Sequence, residues 1–302
     1  EEIGRAGGGI AYTARLVAEA SPHALEAQAR RFLKESAAHG TTTVEIKTGY
    51  GLSVEEELRL LRIAKQVEHS VPTLLGLHAV PKEMPRERWV DLVVRELIPR
   101  AATLGARGCD AFLEQGAFDA GECRAALAAG NAHGLAGHLH ADQLTAGGGA
   151  QLAAALGCAS ADHLERTSAE GVAAMARAGT TAVLLPLAAW FLRQTAAAAQ
   201  PFLDAGVPVA LGSNLNPGSQ RIESVSMLLA AGCLLSGLTP AQALWACTAG
   251  GARALRLEGD RGAIARGLRA DLVLFSIGDP AHLPYHAGVE HADKVFVAGA
   301  AI

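Results

Sequence analysis

The chain has 302 residues, half of them hydrophobic and 19% charged, with 26 Lys and Arg against 30 Asp and Glu for a formal net charge of -4. That is an ordinary globular composition, long enough for one large core of α/β-barrel size plus a small appendage. No basic stripe marks a nucleic-acid surface, no charge block marks a tail, and no apolar run is long enough to span a bilayer.

The opening stretch, EEIGRAGGGIAYTARLVAEASP, begins with Glu1 and shows no signal-peptide pattern. It reads like the middle of a protein, so the expectation is a chain lacking an N-terminal segment. A pattern then repeats in which a helical stretch alternates with a short apolar strand that ends in polar residues. Helices are predicted, for example, over Val54 to Glu68 and Ala169 to Ala178. Strands are predicted in TTTVEIKT from Thr41, PTLLGLHAV from Pro72, CDAFLEQG from Cys109, GHLHADQ from Gly137, SADHLE from Ser160, TTAVLLP from Thr180 and VPVALGSN from Val207. Such alternation argues for parallel βαβ units. Seven strands leave a (β/α)₈ barrel one short, and also allow an open doubly wound sheet, although no GxGxxG follows a strand to favour a nucleotide-binding version. In a barrel the chemistry sits at the C-terminal strand ends, which here carry Lys47, His78, Glu114, His140, His163 and Asn214. After about Arg256 the pattern changes to short β-strands with Gly-containing turns, as in GAIARGLRADLVLFSIGD and DKVFVAGAAI. This divides the chain into a barrel over 1–255 and a β segment over 256–302.

Several segments could carry chemistry. His138 and His140 lie two apart on a strand and so share a face, a plausible pair for zinc or iron, but also readable as two ordinary hydrogen-bonded histidines. His163 ends the next strand, close enough to converge with His140 on one ligand; alone it reads as structural. The run Gly212 to Ser219 is by itself a turn signal. Thr48 to Leu52 places Tyr50 between two glycines at a strand end, and Ser53 with Glu56 reads as the capping box of the next helix. His78 ends another strand and also reads as an edge-of-core histidine. The triplet Gly7 to Gly9 before a helix is weak evidence for anion binding. The five cysteines, odd in number and without CxxC spacing, read as free thiols in a reducing cytoplasm.

Together these segments resemble the imidazolonepropionases, a family of the metal-dependent amidohydrolase superfamily. The resemblance runs along essentially the whole chain, carried in order by AGGGI, TTVEIKTGYGLSVEEELRLLR, HAVP, HADQL, SADHLE, AVLLP with WFLRQT, NPG, GLRADLVLF and DPAHLPYHAG. It implies an α/β fold: a TIM-type barrel, here without its first strand, joined to the C-terminal part of a small composite β domain. It implies one Zn or Fe ion, a small-molecule substrate, a homodimer, and hydrolysis of 4-imidazolone-5-propanoate to N-formimidoyl-L-glutamate in histidine degradation. By the same resemblance His140 is a metal ligand and His163 the histidine that activates water or moves protons. Tyr50, His78 and Gln143 contact substrate, and Asn216, Gly218 and Ser219 form the loop that holds its propionate end.

Two departures qualify the resemblance. The family's first barrel strand, with an HxH metal pair and a nearby substrate-binding arginine, has no counterpart in this sequence. Asn214 also stands where the family has an aspartate serving as metal ligand and base. An asparagine offers a carbonyl oxygen but neither negative charge nor a proton-accepting site. With His140 the one clear ligand, and three usual for a catalytic zinc, the expectation is a chain of reduced or no activity. Two alternatives stay open: an amidohydrolase for another small heterocycle, and a non-catalytic binder that keeps the pocket.

Overall fold

The computed structural model describes residues 9–302. Of the Gly7 to Gly9 triplet, only Gly9 falls inside that range. Seven parallel strands form one sheet in chain order: β1 (Val44–Lys47), β2 (Ser70–Leu77), β3 (Gly108–Leu113), β4 (Ala136–Ala141), β5 (Ser160–His163), β6 (Thr181–Leu184) and β7 (Val209–Leu211). Each strand pairs with its neighbour in sequence, as right-handed βαβ crossovers dictate. The apolar runs are buried because helices cover the outer face; from Val71 to Leu77 every residue of β2 is buried.

The sheet is curled. Neighbouring strands stand about 4.8 Å apart, so β1 and β5 would lie roughly 19 Å apart in a flat sheet. Yet the Lys47 ammonium on β1 touches Asp110 on β3 and Asp162 on β5. Only a sheet wrapped toward a barrel brings those three inner faces together. Seven strands of a (β/α)₈ arrangement are therefore present among the described residues, with β1 and β7 at the two edges of the sheet.

The helices follow local sequence. Val54–Gln66 starts after Ser53, whose side chain accepts the Glu56 amide, and carries Glu55, Glu56 and Glu57 in its first turn, where the helix dipole favours anions. The expected capping box is only half made. The Glu56 carboxylate turns outward to Arg59, and its neighbour Glu57 folds back over the preceding loop. The helix over 86–104 holds one π turn at Val93–Leu97, just before Pro99, whose missing N–H breaks the regular ladder. Leu58, Leu61, Leu74, Leu77, Trp89 and Leu97 pack a core beneath β1–β3. The five cysteines are all free thiols.

After Ala254 the chain forms a three-stranded antiparallel sheet from β8 (Leu272–Phe275), β9 (Ala292–Val297) and β10 (Ala300–Ala301). Between β8 and β9, the short helix His282–Tyr285 packs on the barrel helix Val225–Ser236 and buries Leu283.

Candidate active site

A row of aromatic rings runs along the C-terminal strand ends. Tyr50 meets His78 edge-on at 5.0 Å between centroids, His78 meets Phe112 at 6.4 Å, Phe112 meets His140 at 5.9 Å, and His140 meets His163 at 5.5 Å. Four residues singled out in the sequence thus fall into one contiguous wall. Phe112 joins it as a residue that sequence reasoning passed over; its position two residues after Asp110, on the same face of β3, is the signal that points to it.

Tyr50 is held by its loop. The buried Glu57 carboxylate accepts the amides of Gly49 (2.7 Å), Gly51 (2.6 Å) and Leu52 (3.0 Å). Gly51 is required here, because a Cβ would lie 2.5 Å from the Glu57 backbone nitrogen. Burial pushes the Tyr50 phenol up, so it stays protonated at neutral pH. His78 Nδ1 donates to the Gly49 carbonyl at 2.8 Å, which leaves Nε2 as an acceptor. Burial drives its pKa down to about 4, so the ring is neutral at pH 7. A group whose folded pKa lies below its unfolded value gives stability that is complete above pH 6.5 and is lost as pH falls toward 4. Acidification from pH 7 to 4.5 should therefore cost about 2–3 kcal/mol through His78. A His78→Asn chain, whose amide can still donate to Gly49, should show a smaller fall in melting temperature over that range.

His163 is buried and adopts φ +81°, with Leu164 following at +71°; both are left-handed conformations uncommon for such residues. Its Nδ1 lies 3.5 Å from Glu165 Oε1. Gln143 is half-buried after β4, beside Asp142, whose carboxylate accepts the amides of Gly149 and Ala150 and pins the following turn. Asn216, Gly218 and Ser219 lie in the loop after β7. Asn216 Oδ1 accepts the amides of Gly218 (2.8 Å) and Ser219 (2.9 Å), while its Nδ2 donates to the Asn214 carbonyl. The Gly218 and Ser219 amides are thus engaged internally, and an anion taking them would have to displace the Asn216 side chain.

Below the ring row lies a polar barrel interior. Lys47 Nζ donates to Asp110 Oδ2 at 2.6 Å and to Asp162 Oδ2 at 3.0 Å, and stands 3.3 Å from Glu45 Oε2. His140 Nδ1 is 3.0 Å from Asp110 Oδ2, off the line a hydrogen bond needs. Burial alone would raise Asp110, but the charges of His140 and Lys47 outweigh it and hold the carboxyl well below the usual range. Burial opposes the charge on Lys47 too, yet the carboxylates of Asp110, Asp162 and Glu45 prevail and raise its pKa. His138 lies one layer deeper, bonded to Ser160 Oγ at 2.9 Å. Because Ser160 donates onward to Asp162 Oδ1, His138 Nδ1 carries the proton. His138 is thus a hydrogen-bonded interior histidine, and the metal-capable group among the described residues joins His140 to Asp110 and Asp162 instead.

That group shares His140 with the set expected from sequence, which named His140 and, weakly, Asn214. Its three donor atoms lie within 4.8 Å of one another. An ammonium already bridges the two carboxylates, however, so the residues as arranged do not fit a tightly held ion.

The amidohydrolase family matches residues 116–302. An imidazolonepropionase from Anaeromyxobacter dehalogenans is 50% identical over 96% of this chain and 71% of its own length. One from Myxococcus xanthus is 45% identical over 99% of this chain and 73% of its own. The chain belongs to the imidazolonepropionase family. It is a hydrolase of the amidohydrolase class. The fold is shared more widely. A zinc-bound adenosine deaminase from Xanthomonas campestris superposes with a TM-score of 0.74 at 18% identity, over 93% of this chain and 70% of that one. An atrazine chlorohydrolase from Arthrobacter aurescens, complexed with zinc and atraton, gives 0.71 at 18%, over 93% and 72%.

Proposed function

We propose that this chain's chemistry is the ring-opening hydrolysis of 4-imidazolone-5-propanoate to N-formimidoyl-L-glutamate, in the cytoplasm, at a rate lowered by asparagine at position 214. Identity of 42–50% to imidazolonepropionases across nearly the whole chain carries this reading. The ring row supports it, since a flat heterocycle suits a wall of edge-on aromatic and imidazole rings. Zinc or iron is the ion the family's chemistry calls for, with His140 as the strand-end ligand and Asn214 as a neutral position where an anionic one is needed. Assembly as a homodimer, and the division into a barrel to 255 and a β segment from 256, belong to the same proposal.

Each side chain has a distinct role in this reading. Neutral His78 presents Nε2 to accept a ring N–H, and Tyr50 closes the row beside it. The Glu165 carboxylate favours the proton on His163 Nδ1, leaving Nε2 free to move a proton between water and the departing nitrogen. Gln143 contacts the ring, and the loop of Asn216, Gly218 and Ser219 takes the propionate once Asn216 yields.

The test is consumption of 4-imidazolone-5-propanoate by the chain joined to an upstream segment that supplies the family's HxH strand, with Asn214 kept and with Asn214→Asp, each supplied with zinc or ferrous iron. Restoring the carboxylate is expected to raise turnover about 10²-fold or more, and His163→Ala to remove a similar factor. No turnover by folded Asn214→Asp would overturn the proposal. Tight binding of the imidazolone without turnover in both chains would favour a non-catalytic binder, the reading that Asn214 itself motivates.

A further inference from the structure

The barrel interior gathers more negative charge than its site chemistry uses. Asp110 is wholly buried and Asp162 almost so, on adjacent-but-one strands, and Glu45 adds a third carboxylate. Lys47 is the cation that answers them, reaching both aspartates from β1 with a side chain that keeps some exposure to solvent. His140, between the aspartates on β4, directs a fully buried Nδ1 without a hydrogen-bond partner toward Asp110. One imidazole nitrogen and two carboxylate oxygens from three consecutive strands therefore lie within 4.8 Å of one another, and the ammonium bridges the two carboxylates.

We propose that Lys47 is the resident cation of the barrel interior and that, once its ammonium is removed, Asp110, His140 and Asp162 bind one divalent transition-metal ion in its place. The inference stands independently of the substrate proposed above, and it uses two aspartates outside the ligand set that the family resemblance implies. Ligands around a tetrahedral zinc stand roughly 3.4 Å apart. The three donors already lie within 4.8 Å of one another, so side-chain rotations close the gap without moving the strands. A mixed imidazole and carboxylate set selects zinc, cobalt or ferrous iron over calcium, which takes six to eight oxygens. The charge balance points the same way. Deleting the ammonium leaves buried carboxylates uncompensated, and a divalent ion restores the balance that folding requires.

The experiment uses the full chain, stripped of metal and then titrated with Zn²⁺ or Co²⁺, for the unsubstituted protein, Lys47→Met, Lys47→Arg and Lys47→Met with Asp162→Asn. Lys47→Met is expected to retain about one ion per chain through desalting, at least tenfold more tightly than the unsubstituted chain, with visible Co²⁺ absorption bands from a mixed nitrogen and oxygen site. Lys47→Arg should behave like the unsubstituted chain, and adding Asp162→Asn should abolish the gain. Equal retention with and without Lys47, or no binding by folded Lys47→Met, would overturn the proposal. If Lys47→Met is unfolded without metal, Zn²⁺ should rescue its folding. Failure of both Lys47→Met and the more conservative Lys47→Gln to fold or bind with Zn²⁺ present would likewise sink it, because the ion would then be unable to take the ammonium's place.

Discussion

Glu57→Ala is expected to lower stability by about 3–5 kcal/mol and to free the loop that carries Tyr50. The Glu57 side chain is buried at the start of helix Val54–Gln66 and accepts three backbone amides, from Gly49, Gly51 and Leu52. Burial pushes its carboxyl up, while those bonds, with Thr48, hold it toward the charged form. Alanine would leave one buried and two part-buried donors unpaired, each costing about 1–3 kcal/mol when water is kept out and less where water enters the gap. The effect also reaches the site. The Gly49 carbonyl that receives His78 belongs to the same loop, so losing the anchor releases both ends of the Tyr50–His78 contact. Chemical denaturation measures the first part. The second should appear as weaker binding of the imidazolone by molecules that remain folded. Glu57→Gln, which keeps one acceptor oxygen, should fall between the two. A Glu57→Ala chain as stable as the unsubstituted one would show that water satisfies the loop and that Glu57 is no anchor.

What the sequence made legible follows from the range of the interactions involved. The alternation of apolar strands with Ala- and Leu-rich helices is local, and all seven strands lie where their apolar runs place them. Helix Val54–Gln66 ends two residues short of the expected Glu68, a fraying-scale difference. His78, His140 and His163 stand out because polar residues that close apolar runs fall on the mouth of a parallel barrel. The Lys47 cluster was not legible in the same way, since its partners lie 63 and 115 residues away along the chain. A signal did exist. Glu45 and Lys47, Asp110, His138 and His140, and Ser160 and Asp162 put polar residues on the inward parity of buried strands, where such groups persist only when paired. Glu57 was missed for a different reason. Ser53 and Glu56 have the spacing of a capping box, and the identical residue beside Glu56 does the buried work. Position 214 was set apart by the family resemblance alone; in the structure the Asn214 carbonyl accepts from Asn216 Nδ2 in the loop after β7.

Gly250→Ala is expected to be the most disruptive glycine-to-alanine substitution among the described residues, costing about 4 kcal/mol or more, or preventing soluble expression. Gly250 closes the π turn Ala246–Gly250, where the helix beginning at Pro240 lies directly on β7. A Cβ at this position would fall on the Val209 carbonyl oxygen, well inside contact distance, with the Ala210 Cα 3.3 Å away and the Trp245 ring at 3.1 Å. Two of these neighbours are backbone of a buried strand, which cannot rotate away as a flexible side chain could. The helix must lift or β7 must shift. Either movement weakens the strand that pairs with β6 through Val209, Ala210 and Leu211. The consequence extends to the loop above, because Asn214 follows Leu211 by three residues and the Asn216 turn hangs from it. Even a rescued, folded Gly250→Ala should therefore bind the propionate end of the substrate less well, while Gly250→Ser should fare no better. A normal melting temperature for Gly250→Ala would mean that the helix accommodates the methyl by sliding. The close packing of this helix on β7 would then not be what fixes the last strand in place.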